Sequence, residues 1–274
     1  MIHDTFVDDI AVREARPASP ARPPILFIHG ILAGPWYFEN YQRFFAGRGY
    51  PSVAISLRGR PGSRRVPDLG RIALEEFVTD AREVAASMGR PIIIGHSMGG
   101  LLAQRLAEEG VSDTVVLLSS APPRGITVAT PRLVLKQLKH LPTLARLSPI
   151  RSSRADSDDL IFNRIPEEMR AGLHAQLLPD SALAARQISL GTVAVDETRV
   201  RCAMLVAAGL EDRFVAPRVA RQLAVKYSAP CWQYPRNAHF LPMEPGWERI
   251  AADVESWISR RLDQSSLLSP GGAT

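Results

Sequence analysis

The chain has 274 residues, of which 46% are hydrophobic and 22% charged, a balance typical of a globular protein with a sizeable core. Its net charge is +5, but the basic residues lack the interleaved aromatic residues of a nucleic-acid-binding surface, so we expect no nucleic-acid partner. No apolar run is long enough to span a membrane, and the acidic segment 1–9 does not resemble a secretion signal. We therefore expect a cytoplasmic protein, either a monomer or a homodimer.

Short apolar segments alternate with helical patterns along most of the chain. Such segments are typical of strands in a parallel sheet that is buried on both faces. The predicted strands span 25–28, 52–57, 91–94, 114–118, 203–207 and 231–234, with an edge strand at 9–16. The predicted helices span 36–48, 74–88, 99–109, 217–227 and 247–262. This alternation predicts an α/β fold with a doubly wound, mostly parallel sheet.

One connection, residues 121–200, contains no convincing parallel strand. Connections in such folds are normally a few residues long, so a long one usually has its own structure or a function. It carries leucines between Leu133 and Leu147, and helix-start signals at Pro166 and Asp180. We predict a core formed by 1–120 and 201–263, a helical cap at 121–200 and a flexible tail at 264–274.

The segment Gly95-His96-Ser97-Met98-Gly99 lies between a predicted strand and a predicted helix. A sharp strand-to-helix turn exposes the hydroxyl of its central serine, and the flanking glycines relieve the crowding that such a turn creates. The pattern alone also occurs by chance, but its place between a strand and a helix favours a nucleophile. We therefore predict that Ser97 is the catalytic nucleophile.

A serine nucleophile needs a base and a carboxylate that orients the base. His239 follows the last predicted strand, whereas the other histidines lie elsewhere in the chain. Asp212 follows the strand at 203–207, which places it at the same edge of the sheet as Ser97. We predict His239 as the base and Asp212 as its orienting acid, with Glu211 as the competing acid.

The oxyanion that develops during ester cleavage needs backbone N–H donors. The N–H of Met98 directly follows the nucleophile and is one candidate. The second should come from the loop after the strand at 25–28, where Gly30 lets the backbone turn inward. We predict the N–H of Ile31 as this donor, with Leu32 as the alternative.

These motifs together resemble the α/β-hydrolase superfamily, and most of all its capped lysophospholipase-like and monoacylglycerol-lipase-like members. The matching pieces are His29-Gly30 with Gly34, Ser56-Leu57-Arg58-Gly59, Gly95-His96-Ser97-Met98-Gly99-Gly100, Gly209 with Asp212, and His239. The resemblance implies catalysis by the triad Ser97, Asp212 and His239 through an acyl-enzyme, without a cofactor or a metal. A serine nucleophile excludes the members that use an aspartate, namely dehalogenases and epoxide hydrolases.

One loop departs from the family pattern. Relatives often carry Asp-x-Arg-Gly-x-Gly where this chain reads Ser56-Leu57-Arg58-Gly59-Arg60-Pro61-Gly62. Arg58 lies just beyond a predicted strand, with further arginines at 60, 64 and 65. We hypothesise that Arg58 contacts the substrate and that the cluster attracts anionic substrates; a solvated basic loop is the alternative.

The expected substrate is a small-molecule ester with a small or medium acyl group. We predict that Leu32, Trp36 and Phe38, which lie in or after the oxyanion loop, contribute an apolar lining, and that leucines of the cap extend it. Packing of the cap onto the sheet would also explain these leucines. The same triad would serve an acyltransferase, a thioesterase or a lactonase, and a receptor-like binding protein that kept the triad is a further alternative.

Overall fold

Eight strands form one sheet in residues 1–138 and 140–268, the part of the chain that the computed structural model describes. They are β1 (Ile2–Val7), β2 (Ile10–Ala15), β3 (Ile25–Ile28), β4 (Ser52–Ile55), β5 (Ile92–His96), β6 (Thr114–Leu118), β7 (Ala203–Gly209) and β8 (Cys231–Tyr234). Their spatial order is β1-β2-β4-β3-β5-β6-β7-β8. The pairs β1–β2 and β2–β4 are antiparallel, and all other neighbours are parallel.

Helices connect the strands and cover both faces of the sheet. They are α1 (Glu39–Ala46), α2 (Leu74–Ser87), α3 (Met98–Glu108), α4 (Pro131–Leu138), α5 (Leu141–Arg146), α6 (Arg154–Asp156), α7 (Glu167–Gln176), α8 (Ala182–Ser189), α9 (Pro217–Lys226) and α10 (Trp247–Leu268). Short 3-10 turns lie at Pro35–Phe38, Leu69–Arg71 and Glu197–Arg199, and a π-helical turn at Ser157–Ile161. In the described part of the chain, no helix has the length and hydropathy needed to cross a membrane.

The core has two parts, one on each face of the sheet. Leu26 and Ile28 of β3 enter one apolar cluster, whereas Ile25 and Phe27 enter the other, as expected for alternate residues of a strand. The first cluster takes side chains from α2, α3 and α9, and the second from α1 and α10. This arrangement is the predicted doubly wound α/β fold.

The sheet differs from the sequence prediction mainly at its antiparallel edge. The predicted edge strand at 9–16 corresponds to β2, but β2 lies between β1 and β4 and is not at the edge. The true edge strand, β1, pairs with β2 as a hairpin that turns at Asp8, whose φ is +51°. Its sequence is polar in the middle, at His3 and Asp4, so hydrophobic patterning does not reveal it.

The other strand and helix bounds lie close to the predicted ones, with two differences. The predicted helix at 36–48 begins as a separate 3-10 turn, because Pro35 starts that turn and α1 begins only at Glu39. The predicted flexible tail at 264–274 is also partly wrong, because α10 continues to Leu268. The rest of that tail, 269–274, lies outside the described residues.

The long connection between β6 and β7, here called the insertion (121–200), is helical as predicted. It carries α4 to α8, and its described residues form no strand beyond an isolated bridge between Ile150 and Asp180. The insertion meets the core at the loop after β3, where the Leu178 N–H donates to the Leu32 carbonyl over 2.8 Å. It also meets the segment before α2, where Ser181 Oγ donates to the Ile72 carbonyl over 2.5 Å.

Candidate active site

Ser97 lies at the sharp turn between β5 and α3. Its backbone has φ +52° and ψ −118°, a region that non-glycine residues rarely adopt and that stores strain. The turn is so tight that a Cβ atom on Gly95 would lie 2.3 Å from the Gly99 carbonyl oxygen, and one on Gly99 would lie 2.1 Å from the Ile28 carbonyl oxygen. Both glycines are therefore required by close backbone approach, as the motif predicts.

His239 and Asp212 form a buried pair near this turn. His239 Nδ1 lies 2.8 Å from Asp212 Oδ2, and the two residues are 3% and 5% exposed. The other carboxylate oxygen, Oδ1, accepts the N–H groups of Phe214 and Val215, each over 2.8 Å. Because the carboxylate only accepts hydrogen bonds, Nδ1 carries the proton of the neutral ring, and Nε2 is left able to take a proton.

Glu211, the competing acid, lies elsewhere. Its carboxylate is 3.5 Å from Arg164, and its side chain is 43% exposed. The described geometry thus pairs His239 with Asp212 and leaves Glu211 at the surface.

His96 links the serine turn to the histidine loop, a role that the sequence did not suggest. Its Nε2 lies 2.9 Å from the carbonyl oxygen of His239, and the two rings are 4.8 Å apart. Burial holds the pKa of His96 well below its usual value, so the ring is neutral and its Nε2–H donates to that carbonyl. His96, the residue before Ser97, therefore holds the backbone of His239.

Glu244 also holds the histidine loop and was missed by sequence reasoning. Its carboxylate accepts the N–H of Ala238 over 2.6 Å, the N–H of Phe240 over 2.8 Å and the side-chain amide of Asn237 over 3.3 Å. Burial raises the pKa of Glu244, while these donors act in the opposite direction. The only sequence signal is a carboxylate within an otherwise apolar segment after His239.

Replacing Glu244 with glutamine should disturb this loop. The N–H groups of Ala238 and Phe240 bind different carboxylate oxygens, and a glutamine has only one oxygen to accept them. We expect a loss of about 1–3 kcal/mol in the free energy of unfolding, measured by urea titration. Turnover should also fall, because His239 loses its fixed backbone. Glu248→Gln, at an exposed position of α10, is the control, and equal stability of the two variants would contradict this role.

The loop after β3 borders Ser97 and contains N–H groups without an acceptor among the described residues, that of Ile31 among them. The Gly30 carbonyl oxygen lies 2.8 Å from His29 Nδ1 and accepts the Ala33 N–H over 3.3 Å. In a trans peptide the next N–H, that of Ile31, points the opposite way, and it has no acceptor among the described residues. A Cβ atom on Gly30 would lie 2.9 Å from Ser97 Cβ, so this peptide borders the nucleophile.

The two other predicted oxyanion donors differ in availability. Met98 is the first residue of α3, and the first N–H groups of a helix have no partner within it. Leu32, the alternative to Ile31, is occupied, since its N–H donates to Asp180 Oδ2 over 2.7 Å. The geometry therefore favours Ile31 and Met98 as the pair of free donors.

His29 fixes the Gly30 carbonyl only if its ring is neutral. Burial, and then the charge of Arg60, lower the pKa of His29 to about 3. The neutral ring donates from Nδ1 to Gly30, and its Nε2 accepts the Leu57 N–H over 3.4 Å. His29 thus orients the oxyanion peptide without carrying charge.

A cavity of about 130 Å³ opens onto Ser97 between the sheet and the insertion. Its wall is mainly apolar and includes Leu133, Leu144, Leu160, Ile188 and Phe214. Ile31 and Leu32 of the oxyanion loop also line it, as predicted for Leu32. A few polar side chains, Lys136, His140, Arg151 and Asp156 among them, complete the wall.

The leucines of the insertion divide into two groups. Leu133 and Leu144 line the cavity, whereas Leu135, Leu138 and Leu141 are exposed to solvent. Packing alone therefore does not account for the whole leucine-rich segment.

Two predicted apolar contacts do not reach the cavity. Phe38 is fully buried in the core, stacked on Phe27 with ring centroids 4.8 Å apart. Trp36 packs edge-on against Tyr37 and beside Phe240. The Pro35–Phe38 turn directs these rings toward the sheet instead of the cavity, so the structure does not support a substrate contact for either residue.

The arginine cluster also differs from the prediction. Arg58 pairs with Asp80 over 2.7 Å and with Glu76 over 3.2 Å, and Arg64 pairs with Asp80 and Glu83. These acids lie three or four residues apart in the sequence and therefore project from one face of α2. Only the folded chain brings that face next to the arginines. These acids therefore neutralise the charge of Arg58, which does not line the cavity. The structure does not support a positively charged cavity entrance formed by Arg58 and Arg64.

Comparison with known proteins agrees with the fold. A family profile described as "Alpha/beta hydrolase family" matches residues 25–253, which is most of the chain. The chain belongs to the α/β-hydrolase family. A segment of the chain is also similar to epoxide hydrolase 3 of Xenopus tropicalis, with 34% identity over 87 residues. That match covers 31% of this chain and 23% of the relative, so the chain spans less than a quarter of that curated relative.

Solved structures share the fold over nearly the whole chain. A candidate lipase from Acinetobacter baumannii superposes with a TM-score of 0.71 at 18% identity, covering 97% of this chain and 92% of the other. The monoacylglycerol lipase of Paleococcus ferrophilus superposes with a TM-score of 0.70 at 17% identity, covering 90% and 97%. At such identities the likeness establishes the α/β-hydrolase fold and leaves the substrate open.

Proposed function

We propose that this α/β-hydrolase is a serine hydrolase that cleaves a carboxylic ester. The observation that carries the proposal is the buried Asp212–His239 pair, 2.8 Å apart, beside a strained Ser97 and a free Ile31 N–H. A nucleophile, an oriented base and a backbone donor are the parts that acyl transfer to serine requires.

In this mechanism the Ser97 hydroxyl attacks the ester carbonyl carbon while His239 Nε2 takes its proton. The C–O double bond becomes a single bond, and the resulting oxyanion accepts the N–H groups of Ile31 and Met98. The intermediate collapses with loss of the alcohol, which takes the proton from His239, and leaves an acyl group on Ser97. Water, deprotonated by His239, then releases the acid by the same steps.

The cavity suggests which esters are cleaved. Its apolar wall suits an acyl chain, and the insertion acts as a cap that supplies most of that wall. The family's epoxide hydrolase match does not change the proposal, because the nucleophile position holds a serine here. Acyl transfer, thioester or lactone cleavage would use the same residues, and a receptor that retained the triad would bind without turnover.

A panel of substrates tests the proposal and separates it from these alternatives. It comprises p-nitrophenyl esters of graded length, a thioester, a lactone and an aryl epoxide, assayed with and without an added alcohol acceptor. Ester hydrolysis supports the proposal if its rate is proportional to the number of active serines, which covalent labelling with a fluorophosphonate counts. Turnover of the epoxide alone, or binding of esters without turnover, would contradict it, and product ester formed with the alcohol would favour acyl transfer.

The chain-length profile should reflect the cavity. Each methylene buried from water contributes about 0.8 kcal/mol, so kcat/KM should rise by up to about 15-fold for every two carbons until the cavity is full. We expect an increase from acetyl to medium-chain esters and then a plateau or decline. Leu133→Ala and Leu144→Ala should flatten the profile, whereas Leu135→Ala, at an exposed position, should not. A preference of the intact enzyme for acetyl esters would contradict an acyl-chain role for this wall.

A further inference from the structure

A buried ion pair joins the insertion to the core beside the oxyanion loop. Arg60 Nη2 lies 2.5 Å from Asp180 Oδ2, and the two side chains are 1% and 0% exposed. Burying two charges costs several kcal/mol of hydration free energy, so such a pair contributes little net stability compared with apolar side chains of the same volume. The two residues are far apart in sequence and close in space, which indicates a role other than stabilising the fold.

Both partners bind the backbone of the oxyanion loop. Asp180 Oδ2 accepts the Leu32 N–H over 2.7 Å, and Arg60 Nε donates to the Ala33 carbonyl over 2.8 Å. Leu32 adopts φ +66°, a left-handed conformation that is unfavourable for leucine and that these bonds maintain. The pair thus holds the two residues that directly follow Ile31.

The bond to Leu32 determines which N–H remains for the reaction. With the Leu32 N–H directed to Asp180, the turn from Gly30 to Ala33 closes through the Ala33 N–H and the Gly30 carbonyl, 3.3 Å apart. That closure fixes the Gly30 carbonyl within the turn. The N–H of the same trans peptide, that of Ile31, points the opposite way and remains a free donor. Loss of the Asp180 carboxylate would release the Leu32 N–H and let the Gly30–Ile31 peptide rotate.

Asp180 is itself fixed by the insertion. Its backbone exchanges two hydrogen bonds with Ile150, of 2.8 and 3.0 Å, and its Oδ1 accepts the Ser181 N–H over 2.7 Å. The loop after β3 is therefore tied to the insertion through the Asp180 carboxylate, in addition to the Leu178 N–H, which donates to the Leu32 carbonyl over 2.8 Å.

We propose that Arg60 and Asp180 are positioning residues that set the oxyanion loop, so that a seated insertion is a condition for stabilising the oxyanion. This proposal rests on the proposed serine hydrolase function. Arg60 supplies the cation that Asp180 requires in a buried position.

The test compares Asp180→Asn with Glu108→Gln. Glu108 is a matched control: it is 8% exposed, pairs with Arg105, and accepts a backbone N–H from the insertion, that of Asp196 over 3.0 Å. Direct removal of an oxyanion donor costs about 10²–10³ in kcat, so displacing one through Asp180→Asn should lower kcat about 10- to 100-fold. KM should change less than about twofold, because the donor acts on the transition state.

Two further measurements separate positioning from a general loss of structure. The rate at which a fluorophosphonate labels Ser97 should fall by the same factor as kcat, since that reaction also places negative charge on an oxygen at the oxyanion site. The double variant Arg60→Met/Asp180→Leu should recover the unfolding midpoint of the natural protein, because no unpaired charge remains buried. It should not recover kcat, because the Leu32 N–H still lacks its acceptor.

The outcomes are distinct. Any of three results would overturn the proposal. The first is a kcat per labelled site in Asp180→Asn within twofold of that of the natural enzyme, and the second is an equal loss in Glu108→Gln. The third is recovery of kcat together with stability in the double variant. If the natural protein cleaves no ester and yet Asp180→Asn slows the labelling of Ser97, the hydrolase function fails and the positioning role stands.

Discussion

Replacing Ser97 with alanine should remove nearly all ester turnover. Loss of a triad member lowers the rate by about 10⁴–10⁶, because no other group can form the acyl-enzyme. The fold should be retained, since alanine keeps the Cβ atom and leaves the strained backbone at φ +52° unchanged. Initial rates with a p-nitrophenyl ester measure the effect. Circular dichroism and unfolding measurements check that the variant is folded.

Ser119→Ala is the matched control for this variant. Ser119 is also a buried serine with positive φ, +41°, and its hydroxyl has no partner among the described residues. Its removal should leave turnover unchanged. Substantial hydrolysis by a folded Ser97→Ala protein, or fluorophosphonate labelling at another residue, would contradict the nucleophile assignment.

The sequence predicts the fold well where the signal is local. Strands buried on both faces are continuously apolar, so β3, β6 and β8 begin and end at the predicted residues. The strand-turn-helix motif is local too, because close backbone contacts enforce both of its glycines. The order of the serine, the acid and the histidine along the chain follows from the order of the strands that carry them.

The parts of the site that the sequence did not predict depend on long-range contacts. Arg60 and Asp180 are 120 residues apart in the chain, and neither carries a local signal that would pair them. Phe38 was expected near the substrate because it follows the oxyanion loop, but the direction of a short turn decides which way its ring points. Arg58 has a clear position in the sequence, yet its charge is neutralised by acids of α2 that only the folded chain brings near it.

Electrostatics divides the site into neutral and charged parts. Buried His29 and His96 have lowered pKa values, so both rings serve as neutral hydrogen-bonding groups that orient backbone carbonyls. In the proposed reaction, the Asp212 carboxylate, 2.8 Å from His239 Nδ1, would stabilise the imidazolium that forms when His239 takes the serine proton.

Replacing Asp212 with asparagine should therefore be almost as damaging as losing the nucleophile. Asp212 Oδ1 accepts two backbone N–H groups, from Phe214 and Val215, so the amide oxygen of an asparagine must take that place. The amide nitrogen then faces His239 Nδ1 and donates to it, which moves the ring proton to Nε2. A protonated Nε2 cannot accept the serine proton, and we expect kcat to fall by about 10⁴ with little change in KM.

Glu211→Gln is the control for this variant, because Glu211 is adjacent in the chain but pairs with Arg164 at the surface. It should change kcat by less than about threefold, in keeping with the small energies of exposed ion pairs. Steady-state kinetics at neutral pH measure both variants. A larger loss in Glu211→Gln than in Asp212→Asn would contradict the assignment, because the histidine would then be oriented by the surface carboxylate instead of the buried one.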